Sequence, residues 1–129
     1  MSRKPYLRPM TWEWITRHPR YLRYLVREFS CLFIGGWTLM WVWGLGRLAQ
    51  GPEAWSGFLE ALRSPVSIVF HVLALAFSVY HSVTWFNLTP KALPLQRGEE
   101  FVPDGVISGT HYGVWAALSL VVLVLAGAF

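Results

Sequence analysis

Three long stretches without a formal charge govern what this chain can fold into: Phe29 to Gly46, running on past Arg47 to Ala49; Val66 to Pro90; and Gly105 to Phe129. Each is about 20 to 25 residues, the length that crosses a hydrocarbon core of roughly 30 Å at about 1.5 Å per helical residue. A chain of 129 residues cannot bury three such segments in one water-facing core. The composition agrees, since 54% of the residues are hydrophobic and only 14% are charged, where about a quarter would be charged in a soluble domain. The reading is an all-α membrane protein with three transmembrane helices. Disordered, collagen-like and disulfide-scaffold classes are excluded. The lone cysteine, Cys31, rules out an internal disulfide and any Cys-based zinc or iron–sulfur site built from this chain alone.

Charge placement sets the expected direction. Arg3, Lys4, Arg8, Arg17, Arg20, Arg23 and Arg27 precede the first apolar run, against Glu13 and Glu28. A basic arm of this kind can bind nucleic acid, but the apolar run behind it favours a membrane flank, and no nucleic acid is expected. With Lys91 and Arg97 the arm side outweighs Arg47 and Arg63, which places the N-terminus in the cytoplasm and the C-terminus outside. The first span starts late, is longer than a signal core and lacks a preceding small-residue cleavage site, so it is expected to be a mature helix. The chain then reads as one membrane domain over residues 1–129: a basic cytoplasmic arm and helix start (1–28), first span (29–49), outer loop (50–65), second span (66–89), cytoplasmic loop (90–104) and third span (105–129).

The connections have their own signals. Gly51-Pro52 ends the first helix and opens a short amphipathic one, in which Trp55, Phe58, Leu59 and Leu62 recur at helical spacing and Glu53 and Glu60 stand off the stripe. This short helix is expected to lie in the outer interface. Ser64-Pro65 reads as an N-cap followed by proline in the first turn, Thr89-Pro90 as the end of the second helix, and Asp104 as the cap of the third. Gly109, Gly113 and Ala117 form a small-residue line that admits another helix. Three helices are few for a self-contained transporter, so partners in the membrane and on the basic side are expected.

Ionisable groups in a bilayer are costly, which makes them functional candidates. Arg27, Glu28, His81, Trp85 and His111 all fall near the cytoplasmic leaflet, whereas His71 falls near the other. Glu28 has Leu25, Tyr24, Cys31 and Leu32 at i±3 and i±4, hence no basic neighbour at those positions. A carboxylate so placed suits a group that takes up and releases protons; pairing with an arginine of another protein chain, or reaching the headgroups, is the structural alternative. Ala74, Ser78, His81, Trp85 and Leu88 share a face of the second helix and offer an imidazole beside a flat apolar wall, fit for an amphipathic aromatic ligand. An interhelical hydrogen bond and an interfacial tryptophan account for the same pair structurally. His71 and His81 lie about 15 Å apart along the axis and roughly 280° around it, so they cannot take the two sides of one iron; haem is not expected, one shared with a partner helix being the remaining route.

Several of these stretches resemble the membrane-anchor C subunit of fumarate reductase, of the haem-free type. They are Arg3-Lys-Pro-Tyr-Leu-Arg-Pro-Met10, Arg27-Glu28, Gly51-Pro-Glu-Ala-Trp-Ser-Gly-Phe58, His81 with Thr84-Trp85-Phe86, and Pro90-Lys91-Ala92, in order over residues 1–92 with three spans to match. Residues 93–129 match in length and apolarity only. The resemblance implies a multi-pass protein of the bacterial inner membrane. With a second membrane anchor, the D subunit, it would hold an iron–sulfur subunit and a flavoprotein subunit on the cytoplasmic face, the loop at 50–65 then being periplasmic. It implies menaquinol oxidation in anaerobic respiration, with menaquinone/menaquinol as the ligand, and FAD and iron–sulfur clusters only in the partner subunits. It places Arg27, Glu28, His81 and Trp85 around the quinol, Glu28 being the acceptor of quinol protons. A basic residue of the family pattern near the position of Val83 is absent here, which bears on quinone preference.

Two other functions compete. A succinate dehydrogenase anchor that reduces quinone would use the same architecture in reverse. A small transporter subunit would use Glu28 as a coupling carboxylate, but the spans show no internal repeat and Gly35-Gly36 is the only mid-span candidate for a break.

Overall fold

Proline opens each of the first three helices, and in the computed structural model they form α1 (Pro19–Ala49), α2 (Pro52–Leu62) and α3 (Pro65–Ala92), followed by α4 (Asp104–Leu125). The described residues are 5, 7 and 11–127; Arg3, Lys4 and Arg8, with most of the stretch 3–10, and Phe129 lie outside them. α1, α3 and α4 are long and apolar enough to cross a membrane, so the all-α class with three transmembrane helices holds. The chain divides into two compact units, Met1–Phe77 and Ser78–Phe129, with the boundary inside α3.

In the first unit a single 3₁₀ turn, Trp12–Ile15, precedes α1. His18 caps α1 by accepting a hydrogen bond at Nδ1 from the Arg20 amide, 3.1 Å away, which satisfies one of the orphan donors of the first turn. α1 has 31 residues, about 46 Å at the α-helical rise. That exceeds a hydrocarbon core of roughly 30 Å, so the turns carrying Arg20, Arg23 and Arg27 can stand among headgroups while the apolar remainder spans. α1 runs unbroken through Gly35 and Gly36, so the candidate break there does not occur.

The turn from α1 to α2 needs Gly51, whose φ of 113° is open to glycine and strained for other residues. It brings Phe58 of α2, 2% exposed, against α1. The fit requires the absence of a side chain at Gly44, where a Cβ would lie 2.6 Å from Phe58 Cζ. Trp41, Trp43 and Trp55 surround the same ring, with centroids 5.9, 5.4 and 5.3 Å away. Trp55, Phe58 and Leu62 of the expected stripe are at least partly covered, whereas Leu59 is exposed.

Ser64 caps α3 as expected, its Oγ accepting from the Ser67 amide at 3.3 Å. The first part of α3 packs on α1 through aromatic rings. Phe33 stacks on Phe77 at 4.4 Å and lies near-parallel to Phe70 at 6.4 Å. Phe29 meets Phe33 and Phe77 edge-on at 5.8 and 6.3 Å.

In the second unit α3 continues past the expected stop at Thr89-Pro90 to Ala92, with Pro90 inside the helix. Proline costs the helix one hydrogen bond, the one its missing N–H would give to the Phe86 carbonyl four residues back. Here Ser108 of α4 donates its hydroxyl to that carbonyl at 3.1 Å, so the helix continues without an orphan acceptor. A second tie is beside it: Asn87 donates Nδ2 to its own helix at the Val83 carbonyl (2.8 Å) and to the Tyr112 hydroxyl of α4 (3.0 Å).

Residues 90–104 are more than a bare connection. Gln96–Arg97 (β1) and Glu100–Phe101 (β2) pair antiparallel, with Arg97 opposite Glu100. The two-residue turn works because Gly98 takes a φ of 66°, the demand a hairpin with glycine at the first central position makes. Asp104 is not the cap of α4 as expected. The cap is Pro103, whose carbonyl accepts from the Val106 amide at 2.9 Å. Asp104 instead stands in the first turn, where a negative charge complements the helix dipole. A Cβ at Gly109 or Gly113 would meet nothing within 4 Å, so no described segment of the chain uses that small-residue line.

Candidate functional site

Glu28 sits in the third turn of α1, just after its stretch of arginines. Although no basic residue stands three or four positions away, Glu28 does have a partner on its own helix: Arg27 Nη2 lies 3.6 Å from its carboxylate. Counting by threes and fours misses this contact because a long arginine side chain can bend toward a neighbour 100° around the helix. Arg27 is further held over the Tyr24 ring, 5.2 Å from the centroid, an arrangement that attracts a cation to the ring face. Its carbonyl also accepts a hydrogen bond from the buried Ser30 hydroxyl. The Arg27 side chain is 14% exposed, whereas that of Glu28 is 48% exposed; the acid is therefore the accessible member of the pair.

What recommends Glu28 is no longer isolation but surroundings. It lines a groove of about 440 Å³ with Leu25, Val26, Phe29 and Phe77. Among these only Glu28 carries a charge, and two of the walls are aromatic. An apolar groove with one convergent carboxylate suits a flat apolar ring whose oxygen carries a proton. The lining role of Phe29 and Phe77 was not read from the sequence. The signal that could have found them is the Phe29, Phe33, Phe70 and Phe77 set, spaced so that rings on α1 meet rings on α3.

His81 and Trp85 come together as proposed from their i, i+4 spacing. Their rings are nearly parallel, 9° apart in plane at a centroid distance of 6.0 Å. Trp85 is half exposed and His81 partly covered, so the pair forms a surface with a polar edge and an apolar face. Thr84, between them, donates its hydroxyl to the Tyr80 carbonyl at 2.8 Å, which keeps it occupied within the helix. Ala74, on the same helical face, is 4% exposed and belongs to the packing of the first unit. The Arg27–Glu28 pair belongs to the first unit and the His81–Trp85 pair to the second.

The other histidines are engaged locally. His71 Nδ1 lies 2.7 Å from the Ser67 carbonyl and 3.3 Å from the Ser67 hydroxyl. His111 Nδ1 lies 2.8 Å from the Ile107 carbonyl. Among the described residues no three His, Cys, Asp or Glu side chains converge on a metal site.

Comparison with known proteins adds a separate line. The family model that describes the C subunit of fumarate reductase matches residues 1–127. Proteins named as fumarate reductase C subunits are similar over nearly the whole length: that of Photobacterium profundum is 38% identical, that of Vibrio cholerae 37% and that of Aliivibrio fischeri 36%, each over 96% of this chain and 98% of the relative.

Proposed function

We propose, from the premise that this chain belongs to the family of fumarate reductase C subunits, that it attaches the catalytic subunits of that complex to the membrane and helps form its menaquinol oxidation site. Its three apolar helices make it a multi-pass membrane protein. In the proposed topology the N-terminal arm and the hairpin loop face the cytoplasm, α2 rests in the outer interface of the inner membrane, and the partners are a second anchor, an iron–sulfur subunit and a flavoprotein. The basic residues of the arm support that direction.

The observation that carries the reading is Glu28, a half-exposed carboxylate set in an otherwise apolar, partly aromatic groove on a membrane-length helix. A quinol gives up two protons as it gives up two electrons. The electrons go to redox groups held by the partner subunits, which this chain does not supply. Protons need an acceptor with one side toward the ring and the other toward water, and a half-exposed Glu28 on the groove lining suits that role. Arg27 pairs with the carboxylate at one edge of the groove. His81 offers a ring nitrogen to a quinol oxygen, and Trp85 offers its face to the ring.

Glu28→Gln keeps the side chain's shape and removes the proton acceptor. Quinol-dependent fumarate reduction by the intact complex is expected to fall about a hundredfold or more, the usual weight of a positioned base, with normal subunit stoichiometry. Undiminished turnover in an intact complex would sink the assignment.

A further inference from the structure

The residues that follow Trp85 are held by α4. One position on, the Phe86 carbonyl has lost its helical donor to Pro90 and accepts from the Ser108 hydroxyl at 3.1 Å. Two positions on, Asn87 reaches the Tyr112 hydroxyl at 3.0 Å. The Phe86 ring packs among His111, Tyr112 and Trp115, with centroids 5.4, 5.2 and 6.0 Å away. At about 100° per residue, Phe86 and Asn87 stand about 100° and 200° around α3 from Trp85, whereas His81 stands about 40° from it. α4 therefore grips α3 at positions other than those of the His81–Trp85 face.

That grip falls where α3 is weakest. A proline inside a helix loosens or bends it at the carbonyl that lacks a donor, and in membrane spans a hydroxyl from a neighbouring helix can restore the missing bond. Trp85 belongs to the same turn, since its own carbonyl accepts from the Thr89 hydroxyl at 2.9 Å. An unserved Phe86 carbonyl would draw water into the turn 85–89 and open it. Trp85 would then leave its near-parallel setting on His81, 9° apart in plane at 6.0 Å.

We propose that Ser108 and Tyr112 are positioning residues, through which α4 splints the proline-weakened end of α3 and keeps Trp85 set against His81 for the quinol ring. The ligand's identity rests on the menaquinol reading above. The splint rests on the bonds to Phe86 and Asn87. Groups that receive a ligand must be held within about 0.5 Å by contacts behind them, and these two side chains supply such contacts without touching the ligand. The third span, whose sequence shows only length and apolarity, thereby acquires a part in the site.

The test is steady-state kinetics of the intact complex with a short-chain naphthoquinol. Ser108→Ala is expected to raise KM about three- to fivefold, a share of an aromatic stack's weight, with kcat and subunit stoichiometry retained. In the Pro90→Ala background the new amide can serve the Phe86 carbonyl, and Ser108→Ala should leave KM unchanged. Trp85→Leu should itself raise KM about tenfold, and adding Ser108→Ala to it should raise KM no further. Tyr112→Phe keeps the ring against Phe86 and loses only the hydroxyl; an increase of about twofold is expected, and this variant carries the test should Ser108→Ala not assemble. A native KM in Ser108→Ala or, failing assembly, in Tyr112→Phe, beside a raised one in Trp85→Leu, overturns this proposal alone. So does an equal rise with Ser108→Ala in the Pro90→Ala or Trp85→Leu background. A native KM in Trp85→Leu removes the reading of the His81–Trp85 face and overturns both.

Discussion

Ser108→Ala should show its cost only while residue 90 is proline. Pro90 has no N–H, so the Phe86 carbonyl depends on the Ser108 hydroxyl 3.1 Å away. An acceptor left without its partner in a water-poor site costs about 1 to 3 kcal/mol, although interhelical hydrogen bonds measured within bilayers average nearer about 0.6 and reach about 1.7 kcal/mol. For Ser108→Ala in the native background we expect a loss of about 1 kcal/mol. In Pro90→Ala the new amide can donate to the same carbonyl, and removing Ser108 should then cost no more than about 0.3 kcal/mol, within the error of additivity. The four proteins of this cycle would be unfolded by sodium dodecyl sulfate in mixed micelles, with helicity followed by circular dichroism. A coupling near zero, with Ser108→Ala costing the same in both backgrounds, would refute the reasoning. It would mean that the Phe86 carbonyl finds water or lipid hydroxyl as readily as serine.

Gly44→Ala places a methyl group 2.6 Å from the Phe58 ring and should destabilise the α1–α2 packing by about 1 to 3 kcal/mol. Faster proteolysis in the segment 50–65 would report it, and Phe58→Leu in the same chain should recover part of the loss. His81→Ala should raise KM for a short-chain naphthoquinol about five- to thirtyfold by removing a hydrogen-bonding ring and its stack on Trp85, with kcat and subunit stoichiometry retained. Failure of the complex to assemble would point to an interhelical bond instead. Arg27→Gln should lower kcat less than Glu28→Gln does, because it removes the neighbouring charge and leaves the proton acceptor; an equal loss would mean the two act as one unit.

Sequence alone was enough for the features that depend on the chain's immediate neighbourhood in order. Uncharged runs of membrane length demand helices because every backbone polar group must be satisfied within the segment, and the three spans follow from that. Gly51-Pro52 and Ser64-Pro65 mark helix ends through φ and capping, which are properties of single residues. The stacking of His81 on Trp85 follows from their i, i+4 spacing.

What the sequence left open depends on atoms brought from far along the chain. Pro90 reads as a helix stop until α4 supplies Ser108 for the freed carbonyl. Nothing in the order of residues marks Gly44 until Phe58 fills the space above it. Glu28 reads as a lone acid, because helical spacing counts backbone positions and not the reach of Arg27 or the arrival of Phe77. Local periodicity settled which segments cross the membrane. Only the tertiary structure decided which side chains share a groove, since packing depends on distances that the order of residues does not contain.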